Sequence, residues 1–273
     1  MQFDIVTIFP GFFTGFLESG ILRRAQAEGL VTVNLHDLRA FTHDRHRTVD
    51  DRPFGGGEGM VLKPEPLAVA LGSLGIEPKT ARAPDQSAQS QVVMLSAQGK
   101  PFTQSIARQF AALERIVLIC GRYEGVDERI NELYCDMELS IGDYVLSGGE
   151  IAAAVVVDAV MRLVPGVLGN EASGDFESFG VADAEIAATE DGVPRSQHGA
   201  GGLLDYPHYT RPAEFEGLAA PPVLLNGDHQ QIRRWRREQQ LRKTLANRPD
   251  LLDRAALTDE EKNFLKSIGW RDR

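Results

Sequence analysis

The sequence predicts an α/β protein, a mostly parallel sheet flanked by helices, followed by a small, mainly helical C-terminal domain. Three observations carry that prediction. Short runs rich in β-branched residues alternate with helix-spaced segments from the first residues to about Val164. Two of these runs break at glycine-rich loops that lead straight into helical segments, Gly121-Arg-Tyr-Glu-Gly125 and Ser140-Ile-Gly-Asp-Tyr-Val-Leu-Ser-Gly-Gly-Glu150. After Pro165-Gly166 the chain turns acidic, small and glycine-dotted, then enters long helical segments.

Each element follows from local pattern. Phe3 to Phe9 alternates and stops at Pro10-Gly11, as a strand entering a loop does. Phe12 to Ala27 has apolar positions at helical spacing, and Val31 to Leu35 is a second strand. Residues 41–60 are dense in charge and then in glycine, too long and too polar for a plain connection. Pro64 to Leu74 reads as a helix with proline in its first turn, and Glu77 to Gln91 as a flexible surface excursion. Gln91 to Ser96 is a third strand opening into a loop, Ala97 to Pro101; a helix over Phe102 to Leu113 and a strand over Arg115 to Cys120 follow. Val126 to Tyr134 is helical, a short strand precedes Ser140, and the alanine-rich Ile151 to Val164 reads as a buried helix. The expected divisions are an α/β domain at 1–169, a flexible linker or lid at 170–202, and a helical domain at 203–273.

Composition narrows the function classes. No apolar run reaches the roughly 20 residues that span a bilayer, and the N-terminus lacks a signal-peptide pattern, so a cytoplasmic protein is expected. Cys120 and Cys135 sit in or beside apolar segments without metal-ligand spacing and read as buried free thiols. A net charge of −10 argues against a general nucleic-acid coat. A local basic face remains in Gln231-Ile-Arg-Arg-Trp-Arg-Arg237 with Arg242 and Lys243, readable as an RNA grip or as a solvated helix surface.

The glycine loops let backbone N–H groups approach a ligand where side chains would block it, and the alternative is two tight turns needing positive φ. In a parallel sheet the strand ends after Ser96, Cys120 and Ser140 converge on one edge, where ligands bind. In the 41–60 loop, His43, His46, Asp50 and Asp51 are a conceivable metal set. Arg45, Arg47 and Arg52 disfavour a cation there and fit phosphate contacts instead, or an internally salt-bridged surface loop. A dinucleotide-dependent oxidoreductase would need Gly-x-Gly-x-x-Gly after the first strand, which Phe9-Pro-Gly-Phe-Phe13 does not supply. A non-catalytic RNA-binding module would explain the arginines but not the glycine loops.

Four stretches, in order and spread over nearly the whole chain, carry a family resemblance: Phe-Thr-His-Asp-Arg-His-Arg-Thr-Val-Asp-Asp-Arg-Pro at 41–53, Cys-Gly-Arg-Tyr-Glu-Gly at 120–125, the 140–150 loop, and Pro-His-Tyr-Thr-Arg-Pro at 207–212. Together they resemble the bacterial tRNA (guanine-N1)-methyltransferase family TrmD, of the SPOUT superfamily. The resemblance implies methyl transfer from S-adenosylmethionine to N1 of guanosine at tRNA position 37, 3′ to the anticodon. It also implies a deep trefoil knot in the N-terminal domain, which no sequence rule would propose, and an obligate homodimer with its active site at the subunit interface.

The family's motifs, carried residue by residue, imply a donor site at Met94, Leu95, Ser96, Gly121, Ser140, Ile141, Gly142, Asp143, Tyr144, Val145, Leu146, Gly148 and Gly149. They imply tRNA contacts, centred on the anticodon stem-loop, at Arg45, Arg47, Arg52, Gly59, Arg122, Tyr123, Glu124, His208, Arg233 and Arg234. The catalytic arginine falls on Arg162, inside the helix after the glycine loop. The family's general base is an aspartate just before a Ser-Phe pair. Here Glu177 precedes Ser178-Phe179, one methylene longer, with Asp175 the near alternative. An apparent insertion at 180–201 lets Asp191 compete. Ala97, where the family tends to have proline, and Glu58, inside the glycine run, are further departures. Mg²⁺ dependence is implied as well, without a dedicated metal cage in the sequence.

Overall fold

The computed structural model describes residues 1–82, 89–169, 177–180 and 200–271. The chain divides into two compact units, Met1–Gly169 and Asn170–Arg273.

The first unit is built on a five-stranded sheet in the order β2-β1-β6-β5-β7, with every pairing parallel. Its strands are β1 (Gln2–Thr7), β2 (Thr32–Asp37), β5 (Ser90–Pro101), β6 (Arg115–Cys120) and β7 (Met137–Ser140). A two-stranded ribbon, β3 (Asp50–Asp51) with β4 (Val61–Leu62), closes the base of the charged loop. The central strands are buried on both faces, as covered parallel strands are. Side chains alternate between two cores. Phe3, Ile5, Ile116 and Leu118 enter one, and Val6, Val117 and Ile119 the other.

The first core is covered by α4 (Gln104–Ala111) and α6 (Glu150–Met161), which supply Phe110, Val156 and Val157. The second is covered by α3 (Pro64–Ser73) and α5 (Glu128–Tyr134), through Leu67, Leu71 and Ile130. Burying each such side chain contributes about 2 kcal/mol. Helix starts follow their caps: Thr103 accepts from the Ile106 N–H and Asp127 from the Arg129 N–H.

Three local expectations change. The helix expected over 12–27 is broken into a 3₁₀ turn at Pro10–Phe13, α1 (Thr14–Leu17) and α2 (Gly20–Ala27), with Gly20 at φ +60° at the break. The third strand does not end at Ser96. β5 runs to Pro101 around an irregularity, and Leu139 pairs with both Leu95 and Lys100. Gly99 makes this possible, because a β-carbon there would lie 2.4 Å from the Leu139 backbone nitrogen. The excursion after Glu77 begins as an anchored segment. Lys79 Nζ donates to the Cys135 carbonyl at 2.9 Å, and Arg82, only 6% exposed, pairs with Asp136 at 2.8 Å.

The second unit contains a hairpin of β8 (Glu214–Phe215) and β9 (Leu218–Ala219), then α7 (His229–Asn247) and α8 (Asp259–Ser267). Thr258 and Glu261 form a reciprocal capping box at the start of α8. Leu203, Leu241, Leu252, Leu265 and Trp270 make its core. Among the described residues, no helix is long and apolar enough to cross a membrane.

Candidate active site

The irregular stretch of β5 after Leu95 and the loops after Cys120 and Ser140 meet beside β5, β6 and β7 and enclose a cavity of about 270 Å³. Parallel pairing places these strand ends side by side, so residues more than 50 positions apart in sequence share one wall. Met94, Leu95, Ser96, Gly121, Ser140, Ile141, Gly142, Tyr144, Val145, Leu146, Gly148 and Gly149 all line it. Asp143 does not; it is exposed on the same loop. Arg122, Tyr123 and Glu124, expected at the RNA surface, stand on the cavity wall itself.

Internal bonds hold the loop walls. Ser140 Oγ donates to the Gly142 carbonyl at 3.0 Å and accepts from the Gly142 N–H at 3.3 Å, while Tyr144 OH donates to the Ile141 carbonyl at 3.2 Å. The two glycine loops are joined by the Gly149 N–H donating to the Gly121 carbonyl at 2.8 Å. Tyr123 sits at φ +60°, a left-handed conformation that is strained for a tyrosine.

Sequence reasoning missed Gln98, Glu128, Asn131, Glu138, Ser147 and Ala152, all on the wall. Asn131 Nδ2 donates to Glu128 Oε1 at 2.9 Å and reaches Glu138 Oε2 at 3.5 Å. A signal existed in the pattern. Glu138 and Ser140 are two apart on a strand, and Glu128 and Asn131 three apart on a helix, so each pair shares a face. Glu124, Glu128 and Glu138 give the cavity an anionic side, while the Arg122 guanidinium is engaged by Glu150 at 2.9 Å.

The charged loop joins the cavity at its far end. The Glu124 N–H donates to the Met60 carbonyl, and the Leu62 N–H to the Gly125 carbonyl, both at 3.0 Å. Arg45, Arg47 and Arg52 are exposed on this loop, whose turn is tied by Asp44 accepting from the backbone of His46 and Thr48. Those hydrogen bonds, the Thr48 hydroxyl's first, hold the Asp44 carboxyl below its ordinary range. Phe54, between Arg52 and the glycines, is 98% exposed. Among the described residues, His43, His46, Asp50 and Asp51 join no group of three or more potential metal donors.

Arg162 is the residue that ends α6, half-buried and one position past the helical run, not inside it. It lies outside the cavity wall. In the second unit Glu177 is half-buried, and its carbonyl accepts from the Gly180 N–H at 2.9 Å. The adjacent Ser-Phe pair is fixed by two bonds, Ser178 Oγ accepting from the Asp205 N–H and the Phe179 N–H donating to the Leu203 carbonyl. Asp175 and Asp191 lie outside the described residues. His208 is exposed and pairs with Asp205 at 3.0 Å. On α7, Arg233 is half-buried and Arg234 exposed beside Glu238, while Arg237 pairs with Glu261 and Arg242 lies over Phe264. Part of the basic cluster therefore packs the unit instead of facing outward. Trp235 is half-buried, its ring edge-on to Tyr209 at 6.2 Å.

Comparison with known proteins supplies the remaining observation. The family described as "tRNA (Guanine-1)-methyltransferase TrmD" matches residues 1–254. A protein of Koribacter versatilis named tRNA (guanine-N(1)-)-methyltransferase is 54% identical over 268 residues, 98% of each chain. Proteins of the same name from Chloroflexus aggregans and Geobacillus kaustophilus are 50% and 47% identical, over 99% and 97% of this chain and 96% and 97% of their own.

Proposed function

The chain belongs to the tRNA (guanine-1)-methyltransferase family TrmD, and from that premise we propose that it methylates N1 of guanosine 37 in tRNA, with S-adenosylmethionine as donor. The observation that carries this reading is the convergence of two glycine loops and the irregular stretch of β5 on one cavity with an anionic side.

The residues present fit such a donor. Its bound form supplies a methyl group on a cationic sulfonium, already activated for transfer. Glu124, Glu128 and Glu138 favour a cation, Leu95, Ile141 and Leu146 offer apolar surface to a purine, and Gly121, Gly148 and Gly149 bring the backbone close. The same carboxylates disfavour the diphosphate of a nicotinamide dinucleotide, the rival ligand for an α/β sheet with glycine loops.

Guanine N1 carries a proton at neutral pH and is a poor nucleophile until a base removes it. Glu177 is our candidate base, with Asp175 and Asp191 as alternatives. Proton loss pushes negative charge toward O6, where the Arg162 guanidinium stabilises it. Arg45, Arg47 and Arg52, with Gly59, His208, Arg233 and Arg234, hold the anticodon stem-loop; an exposed Phe54 among the arginines suits stacking on an unpaired base. Mg²⁺ is assigned no protein site.

The same reading gives the first unit the deep trefoil knot of the SPOUT fold. Its support is the close passage of Gly99 against the Leu139 backbone and the Gly149 to Gly121 bond between loops. It also makes the enzyme a cytoplasmic homodimer with the site completed at the subunit interface. Ile151 and Val155, one turn apart on α6, and Phe9 and Phe12 beside the helix leave large apolar side chains exposed, which a second copy would cover.

The test is single-turnover transfer from labelled S-adenosylmethionine to a transcript with guanosine 37, comparing wild type with Glu177→Gln, Asp175→Asn and Asp191→Asn. Loss in Glu177→Gln alone, with donor and tRNA binding retained, supports Glu177 as the base. Full activity in that variant removes the assignment, and an inactive, folded wild type on every guanosine-37 tRNA removes the function.

A further inference from the structure

We propose that Glu150 is a positioning residue for methyl transfer, its buried carboxylate fixing the Arg122 guanidinium and thereby the spacing of the two glycine loops. The proposal rests on the methyl-donor reading of the cavity.

Glu150 opens α6 directly after Gly148-Gly149 and is 1% exposed. A carboxylate so deeply buried is unfavourable unless its oxygens are fully engaged. Here they are engaged by the last residue of one strand and a residue just past another. Oε1 accepts from Thr7 Oγ1 at 2.7 Å, at the end of β1. Oε2 accepts from Arg122 Nε at 2.9 Å, and a second guanidinium nitrogen stands at the same distance, just past β6.

Arg122 passes the constraint onward. Its remaining guanidinium nitrogen donates to the Ser147 carbonyl at 3.0 Å, inside the 140–149 loop, and its plane lies over the Phe9 ring at 4.6 Å. The room it occupies explains the glycine beside it. A β-carbon at Gly148 would fall 2.1 Å from Arg122 Nε, and one at Gly149 would fall 2.7 Å from the Cys120 α-carbon. These two glycines are therefore required by the protein's own Arg122 and β6 backbone, before any ligand is considered. Neither Thr7 nor Glu150 lines the cavity, whereas Arg122, Ser147, Gly148 and Gly149 do. Glu150 acts on the site through them, and a charge-assisted contact, here two guanidinium nitrogens on the one oxygen Oε2, is stiffer than a neutral one.

The experiment compares wild type, Glu150→Gln, Arg122→Ala and the double variant, measuring kcat, KM for S-adenosylmethionine, KM for tRNA, donor affinity by calorimetry, and Tm. Glu150→Gln preserves shape and the bond from Thr7 but removes the charge facing Arg122. The expected result is a donor KM and Kd raised at least tenfold, with KM for tRNA within twofold of wild type. Arg122→Ala should give a comparable rise, and the double variant little more than either single change, since both break one contact. A donor KM within twofold of wild type in folded Glu150→Gln overturns the proposal. So do effects that multiply in the double variant, and so does a loss of Tm without a selective donor effect. Should Glu150→Gln fail to fold, Arg122→Lys is read the same way, because an ammonium cannot hold Glu150 and the Ser147 carbonyl in the fork geometry; an unchanged donor KM there also overturns it. An inactive wild type would instead count against the proposed function.

Discussion

Gly59 and Glu124 occupy adjoining space: a β-carbon on Gly59 would lie 2.4 Å from Glu124 Oε1. The arginine-bearing loop thus ends against a side chain of the cavity wall, tied there by the Glu124 N–H to the Met60 carbonyl. Gly59 also sits at φ +83°, where an L side chain is strained by about 1 to 2 kcal/mol. Gly59→Ala should therefore shift Glu124 and lower donor affinity several-fold, with a Tm loss of about 3 °C or more. Isothermal calorimetry with S-adenosylmethionine and a thermal melt read both; an unchanged affinity would show that Glu124 moves without consequence.

Gly99 faces backbone, not a flexible side chain. With Leu139 N at 2.4 Å and the Glu138 carbonyl carbon at 2.5 Å, an added methyl forces β5 and β7 apart. Gly99→Ala is expected to destabilise the protein by about 3 kcal/mol, seen as a lower urea midpoint. A midpoint equal to wild type would mean that the 96–99 segment relaxes freely.

Asp4 is a buried carboxylate with four donors. His36 Nε2 stands at 2.8 Å, Arg115 Nε at 2.6 Å, Asn34 Nδ2 at 3.0 Å and Gln2 Nε2 at 2.7 Å. Burial pushes its pKa up, but the hydrogen bonds from His36, Arg115 and Asn34 outweigh burial and hold it below the ordinary 3.8. A folded pKa below the unfolded one stabilises the protein above the unfolded value, and that stability is lost as pH falls from 3.8 through the folded value. Wild type should lose stability on acidification more steeply than Asp4→Asn, while the variant starts about 3 kcal/mol less stable at neutral pH because Arg115 loses its charged partner and keeps only the Leu74 carbonyl. Parallel slopes below pH 4 in urea titrations would reject this account.

Both thiols should be silent in the native state. Burial pushes Cys135 up to about 12 and Cys120 well above its ordinary 9.0, with the Glu150 charge adding to the latter. Thiolate is the reactive form, so neither should react with a disulfide reagent at pH 8 until the chain unfolds. One rapid equivalent from folded protein would show that a core segment opens.

The regular elements were legible because each writes a short-range pattern. The β-branched run at Arg115 to Cys120 coincides with β6, and the alternation in Phe3 to Phe9 locates β1, which begins one residue earlier and ends at Thr7. The glycine motifs named the loops that the cavity uses, and parallel strands have no choice but to bring their carboxyl ends together. The break at Gly20, the continuation of β5 to Pro101 and the position of Arg162 at the end of α6 were not legible. Backbone conformation and packing decide there: Gly20 takes a positive φ, and β5 continues where Gly99 lies against the Leu139 backbone.

The sequence by itself determined the parallel α/β class, the family, and the residue types available to the cavity. Tertiary structure alone decided who holds whom. Thr7 and Glu150 are 143 positions apart yet bonded, and Asp4 and Arg115 are 111 apart. Gly99 proved to be a slot for the backbone of β7, and Gly148 a slot for the Arg122 side chain. Such pairings follow from how the sheet closes over its loops, and closure joins residues whose local patterns carry no record of one another.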